Sequence, residues 1–210
     1  MVSNKKIFLD LDGTLLNIEN RYLNLFNYIC KLLNIDNLTP LDFWNRKREG
    51  ETNKQIFKTY GFDDKFFNSF QNFWTSSIEN NFWLGFDRLQ DDAIEFLNFL
   101  ENHKFEIYLL TGRNKRAELI QQLKRLKIDK FFTEVFNVET IELAKNKENI
   151  LNLHQPEYFI GDSEIDYESS RNLKVKFYCV NNGFRSKSFL EKNLIKVSYE
   201  NLSNLKSVFK

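Results

Sequence analysis

Short apolar runs recur along the chain, and the first three below close on an acidic residue or a threonine. "KIFLD" (6–10), "FEIYLLT" (105–111), "YFIGD" (158–162) and "KFYCV" (176–180) have this form, with "EVFNV" (134–138) a weaker fifth. Runs this short and this apolar predict strands buried on both faces. Helical patterns lie between them. "DDAIEFLNFLENH" (91–103) places Ile94, Leu97 and Leu100 on one face, "RNKRAELIQQLKRLKI" (113–128) places Leu119, Leu123 and Leu126 on one face, and "NKENILNLH" (146–154) is a short helix. Strands alternating with helices predict parallel βαβ units in an open α/β sheet covered on both sides.

From 18 to 88 the pattern changes. "NRYLNLFNYICKLLNI" carries an apolar stripe of Tyr22, Leu25, Phe26, Ile29, Leu32 and Leu33, and the segments after it continue in helical style without a convincing strand. Some seventy residues are too many for a loop. The expected organisation is therefore an α/β core from residues 1–17 and 89–210, with residues 18–88 inserted as a helical substructure. The Phe-Trp pairs at 43–44, 73–74 and 82–83 are irregularly spaced and fit the packing of that small helical unit.

Composition changes this picture little. Hydrophobic residues are 42% and charged residues 28%, and 22 Phe promise an aromatic core. A net charge of +1 gives no electrostatic case for nucleic acid or an acidic membrane. Cys30 and Cys179 sit in apolar segments without metal-type spacing and are expected as buried free thiols in a reducing compartment. No run approaches a membrane span and no signal-peptide pattern precedes the first strand, so a cytoplasmic location is expected. His103 and His154 fall at predicted helix ends and read as surface or capping residues.

In an open parallel sheet, chemistry collects at the carboxyl ends of the strands. The first strand ends in Asp10-Leu11-Asp12-Gly13-Thr14, the second in Thr111-Gly112-Arg113, and the strand at 158–162 in Gly161-Asp162, with Asp166 four residues on. Lys145 and Lys147 begin the helix before that last strand. Several carboxylates crowded on one rim cannot all ionise without a cation. Mg2+ is the natural one, and with a Thr hydroxyl, backbone N–H groups and a Lys beside it the rim suits a phosphate. Residues i and i+2 of an extended segment share a side, so Asp10 and Asp12 can both face a phosphoryl group, one attacking phosphorus and the other moving protons.

"DLDGT", "LLTGR", an upstream lysine and "GDSEID" resemble, in order, the four motifs of the haloacid dehalogenase superfamily. The stretch "GDSEIDYESSRNLKVKFYCVNNGFRS" resembles its phosphoglycolate-phosphatase-like branch, and the insertion after the first motif resembles that family's C1 helical cap. The resemblance implies a Rossmann-like core, Asp10 as nucleophile and Mg2+ ligand, and Asp12 as general acid/base with its carbonyl on the metal. It implies Thr111 and the Gly112 N–H as phosphate holders, Asp162 on Mg2+, and Asp166 supporting that site. The Lys-Pro pair frequent in the family is absent. Lys147, with Leu151 four residues on, matches the family lysine better than Lys145.

The expected activity is a Mg2+-dependent phosphatase of small phosphorylated metabolites, as monomer or homodimer. Asp12 argues against a dehalogenase, which needs no acid two residues after its nucleophile. A phosphomutase of the same fold and a non-catalytic phospho-receiver or binding module are the alternatives. Substrate selectivity should come from the cap, whose most charged segment is "NRKREGE" (45–51). Arg48, or failing that Lys47, is expected on the leaving group, and Arg113 either touches the site or only starts a helix.

Overall fold

The computed structural model describes residues 5–195 and 197–209. Strands β1 (Lys6–Leu9), β4 (Glu106–Gly112), β5 (Glu134–Val138), β6 (Tyr158–Gly161), β7 (Lys176–Val180) and β8 (Ser198–Tyr199) form a sheet in the order β5-β4-β1-β6-β7-β8, with every pairing parallel. The open parallel α/β sheet expected from the apolar runs is thus present. Its sixth strand, β8, is two residues long, too short to leave a periodic pattern. β1 lies at the centre. The chain runs outward through β4 and β5 on one side, then crosses to β6, β7 and β8 on the other, so the reversal falls beside β1.

Side-chain alternation divides the core between two faces. Ile7, Leu9, Ile107, Leu109 and Ile160 meet helices α6 (Ala93–Asn102) and α7 (Arg116–Arg125) on one face. Phe8, Tyr108, Leu110 and Phe159 meet α8 (Leu143–His154) on the other, where the Phe8 ring stacks on Tyr108 at 4.9 Å. Two expected details differ. Ile94 is 38% exposed, because the buried line of α6 runs through Ala93, Phe96, Leu97 and Leu100, and Ile94 stands a quarter turn away. His154 is half-buried: its ring packs against Phe136 at 4.7 Å and against Phe8 and Tyr108. His103 ends α6 with Nδ1 2.8 Å from the Phe99 carbonyl oxygen.

Between β1 and β4 the chain forms helices α1 (Glu19–Leu33), α2 (Pro40–Arg48), α3 (Asn53–Thr59), α4 (Asp64–Ser77) and α5 (Asn81–Leu84). Local sequence fixes several of their starts. Thr39 caps α2 ahead of Pro40, Thr52 and Gln55 make a reciprocal capping box on α3, and the Asp63 side chain accepts from the Phe66 N–H at the start of α4. These helices bury their own cluster, with Phe26 stacked on Phe43 at 4.1 Å and Phe57 tilted against Phe70 at 4.3 Å. Phe43, Trp44 and Trp74 of the Phe-Trp pairs are buried, whereas Phe73 and Phe82 face outward. Leu32, expected on the buried stripe of α1, is 48% exposed because it lies at the stripe's edge, and Arg21 is buried instead. The helical block joins the sheet through an antiparallel ribbon of β2 (Leu16–Asn17) and β3 (Arg88–Leu89).

Candidate active site

The carboxyl ends of β1, β4 and β6 meet at one cavity of about 120 Å3. Asp10 follows β1 directly, and its N–H donates to the Ile160 carbonyl at 2.9 Å. The chain then turns tightly, with the Leu15 and Leu16 N–H groups both donating to the Leu11 carbonyl. Gly13 sits in this turn at φ +92°, and a Cβ there would strike the Asp162 carboxylate and crowd the Phe184 N–H. Glycine is required on both counts. Thr14 donates to Asp162 Oδ1 at 3.3 Å.

The other motif residues arrive from three elements. Thr111 and Gly112 end β4 and line the cavity. Asp162 follows β6, and its carboxylate accepts from the Phe184 N–H at 2.5 Å. Ser163 caps α9 (Glu164–Ser170), which turns Asp166 back into the site, where its Oδ2 accepts from Ser163 Oγ at 2.6 Å. Lys147 reaches in from α8 and is 3% exposed, with Nζ 2.6 Å from both Asp10 Oδ1 and Asp166 Oδ1. Lys145 points outward and, among the described residues, pairs only with Glu148. The structure therefore brings together Asp10, Asp12, Thr111, Gly112, Lys147, Asp162 and Asp166. Ile18 and Tyr22, from the start of the helical block, line the same cavity, so the block lies over this end of the sheet.

Charge is the dominant feature of this cavity. Burial pushes the Asp10 carboxyl up to about 7; Lys147 opposes that and the Asp166 charge adds to it. Asp162 is raised well above the ordinary carboxylate range by burial and by the charges of Asp10 and Asp166. Lys147 is raised too and so held charged, since the two carboxylates outweigh the burial that would discharge it. Asp10, Asp162 and Asp166 each offer a carboxylate oxygen within 4.8 Å of the others, a buried, oxygen-only donor set that fits a hard cation such as Mg2+. The carboxylate of Asp12 is not in this set.

Asp12 is instead gripped by arginines. Arg113 donates from Nε to Oδ2 at 2.7 Å and from an Nη to Oδ1 at 2.5 Å, which settles Arg113 as a member of the site. Arg21 approaches Oδ2 at 3.1 Å. Burial alone would raise the Asp12 carboxyl, but the two guanidiniums outweigh it and hold it below the usual range. Arg21 carried no signal in the sequence, being one charge inside an amphipathic helix. Gly183 lies within the stretch that resembles the phosphoglycolate-phosphatase-like branch, though the resemblance assigns it no role, and it passes so close to the Gly13 carbonyl and Asp162 that a Cβ would collide with both.

Arg48 stands elsewhere. Its guanidinium lies 3.5 and 3.4 Å from the Asn181 and Arg185 carbonyls, and it lines a separate cavity with Gly13, Trp44 and Gln90. Lys47 faces a groove of about 370 Å3 that shares Tyr22 and Phe184 with the Asp10 cavity. The cause is a distant segment packed on the helix end: Arg185 donates to the Lys47 carbonyl at 2.6 Å, and Gly50 at φ +84° lies where a side chain would hit the Phe189 ring. This clamps the helix end so that neighbouring side chains diverge.

Fold and site together define a hydrolase built on a parallel α/β sheet with a helical insertion. A family model for haloacid dehalogenase-like hydrolases matches residues 7–180, and the chain belongs to that family. Comparison with curated protein sequences found no match. Among solved structures, a haloacid dehalogenase-like family hydrolase from Streptococcus pneumoniae is similar at TM-score 0.77 and 20% identity, with 100% of each chain covered. A predicted phosphoglycolate phosphatase from Haemophilus somnus gives 0.74 at 16% identity with 100% of each chain covered. A predicted phosphatase from Clostridium acetobutylicum gives 0.72 at 15% identity with 99% of each chain covered. At these identities the likeness is one of fold.

Proposed function

We propose that the protein is a Mg2+-dependent phosphatase that hydrolyses a small phosphate monoester through an aspartyl-phosphate on Asp10. The observation that carries this reading is the buried meeting of Asp10, Asp162, Asp166 and Lys147 beside Thr111 and Gly112, with a second carboxylate two residues after the first. Mg2+ held by Asp10, Asp162 and the Asp12 carbonyl, with Asp166 in support, would neutralise phosphoryl charge and let the carboxylates stay ionised. Thr111 and the Gly112 N–H orient the phosphoryl oxygens, and Lys147 keeps Asp10 anionic and aimed.

In the first step an Asp10 oxygen attacks phosphorus and the bond to the ester oxygen breaks. Asp12 in its acid form gives the departing oxygen a proton. In the second, Asp12 as carboxylate takes a proton from water while that water attacks the aspartyl-phosphate, releasing phosphate and restoring Asp10. The two guanidiniums favour the ionised Asp12 of the second step. The negative charge of an arriving phosphate ester, placed beside Asp12, promotes proton uptake for the first. The helical block acts as a lid that excludes water and admits small substrates. Assayed on a panel of phosphorylated metabolites, the protein should be active with Mg2+ and silent with EDTA. Full activity without metal, particularly on a chlorinated acid, would instead identify a dehalogenase. Both cysteines are buried and free, which suits the reducing compartment of a cytoplasmic enzyme; no helix among the described residues is long and apolar enough to cross a membrane.

Metal should also be visible in stability. The raised carboxyls, Asp10 at about 7, Asp87 at about 6 and Asp162 upward, bind protons more tightly in the folded chain than in the unfolded one. Their contribution is complete below the ordinary carboxylate value and is lost as pH rises through 6 to 7. Asp12, shifted downward, acts only below that window. Metal-free protein should therefore lose stability from mildly acidic to neutral pH. Mg2+ should raise Tm more at neutral than at acidic pH, by at least ~4 °C, on the order of 1 kcal/mol. An equal Mg2+ shift at both pH values would contradict metal binding at these carboxylates.

Selectivity falls to Lys47 in place of Arg48. The Lys47 ammonium donates to the Glu51 carbonyl at 2.8 Å, and burial with the nearby Arg185 charge lowers it to about 8. A half-buried cation at the groove beside the site favours a leaving group that carries its own anion. Lys47→Met should raise KM for such a substrate about ten- to a hundredfold and change hydrolysis of a plain aryl phosphate little. Parallel kinetics on the two substrates test this, and equal losses on both would mean that Lys47 only supports the fold.

A further inference from the structure

Asp12 belongs to a closed ring of four alternating charges. Arg113 holds it at 2.5 Å, Arg21 at 3.1 Å, Arg21 in turn meets Asp87 at 3.1 Å, and Asp87 faces Arg113 at 3.9 Å. Gln122 braces the ring, donating to Asp87 Oδ2 at 2.7 Å and accepting from Arg113 at 3.4 Å. The side chains of Arg21 and Arg113 are 2% exposed and that of Asp87 is 0%, whereas Asp12 is 24% exposed and lines the Asp10 cavity. Three enclosed groups thus hold a fourth that looks into the site.

The origin of each member matters. Asp12 and Arg113 come from the sheet side, at the ends of β1 and β4. Arg21 lies in the first turn of α1, just after the outgoing linker β2, and Asp87 immediately precedes the returning linker β3. The ring therefore spans both crossings between the helical block and the sheet. Its formal charges cancel, so it adds little net field at the phosphoryl site. Buried ion pairs are also poor sources of stability compared with apolar packing. What such a ring does supply is a fixed direction for the one carboxylate left open, since Arg113 grips both Asp12 oxygens with its planar fork and Arg21 spans from Asp12 Oδ2 to Asp87.

We propose that Arg21 and Arg113 are positioning residues that aim the Asp12 carboxylate at the ester oxygen, and that Arg21 with Asp87 makes this aim depend on the helical block being seated. The inference rests on the phosphatase reading above. Arg21→Lys and Arg113→Lys test it, because each keeps the positive charge while replacing a two-point fork by a single head. kcat/KM, which reports phosphoryl transfer to Asp10, is measured on 2,4-dinitrophenyl, 4-nitrophenyl and phenyl phosphate, alongside Tm. Phenolate leaves poorly and needs the proton from Asp12, whereas dinitrophenolate leaves without it. Each variant should lose about ten- to a hundredfold on phenyl phosphate and less than about threefold on the dinitrophenyl ester. Asp87→Asn, which does not touch Asp12, should show the same leaving-group dependence in weaker form, and it carries the test if an arginine variant fails to fold. Equal losses on all three esters, or none, would reduce the ring to a structural clasp and overturn the proposal. A wild-type protein inactive on every ester would remove the phosphatase reading itself, and the proposal with it.

Discussion

Asp10→Asn leaves the fold intact and lowers kcat by at least about a thousandfold, roughly 4 kcal/mol in the barrier. The amide has almost the volume of the carboxyl and can still accept from Lys147, so packing at the end of β1 is kept. It lacks the charge that attacks phosphorus and is a weaker metal ligand. The same charge is a burden to the resting protein, because Asp10 is buried among Asp162 and Asp166 and its carboxyl is raised to about 7. Without metal at mildly alkaline pH, the Asn variant should therefore melt no lower than the parent. Steady-state kinetics and thermal unfolding on one preparation check both halves. A variant that keeps more than ~10% of kcat, a barrier change under ~1.4 kcal/mol, removes Asp10 as nucleophile. One that loses activity and stability together leaves Asp10 as a structural carboxylate.

The rim of the site was legible because a parallel sheet puts the carboxyl ends of its strands on one side. Once "KIFLD", "FEIYLLT" and "YFIGD" read as strands, Asp10, Thr111 and Asp162 had to meet. What escaped depended on contacts between distant segments. Arg21 sits beside Tyr22 in an amphipathic pattern and reads as a solvated charge, and its burial is explained only by Asp12 and Asp87, which the fold brings from either side of the insertion. His154 closes its helix as expected, but aromatic rings from β1, β4 and β5 surround it. From the sequence Arg48 ranks ahead of Lys47, and that order is reversed, because adjacent helical residues diverge by about 100° and nothing local decides which one faces the site. The choice between them is made by Arg185 and Phe189, well over a hundred residues later. β8 is recognisable only through its partners Cys179 and Val180.

Lys147→Met tests the electrostatic core of the site and should have the second large effect. The ammonium is the one cation bonded directly to Asp10 and Asp166 among the described residues, at 2.6 Å to each. Methionine fills much the same space without charge, so the variant isolates the loss of a buried partner from the loss of volume. Removing one side of a buried ion pair costs about 3–5 kcal/mol, because the remaining charges are left uncompensated. For a chain of this size that is a fall in Tm of roughly 6–20 °C in metal-free buffer near neutral pH. Lowering the pH should restore part of it, since protonating the freed carboxylates removes their charge. Mg2+ should restore part as well, because three carboxylates without their ammonium attract a cation more strongly. Neither treatment returns the group that fixes Asp10 for attack, so kcat should stay at least about a hundredfold down under all conditions, close to 3 kcal/mol. Lys145→Met is the matched control. Lys145 is exposed and, among the described residues, pairs only with Glu148, so its loss should leave both Tm and kcat near the parent values. If the Lys145 variant were the damaged one, or if Mg2+ restored turnover along with stability in the Lys147 variant, Lys147 would not be the group that prepares Asp10.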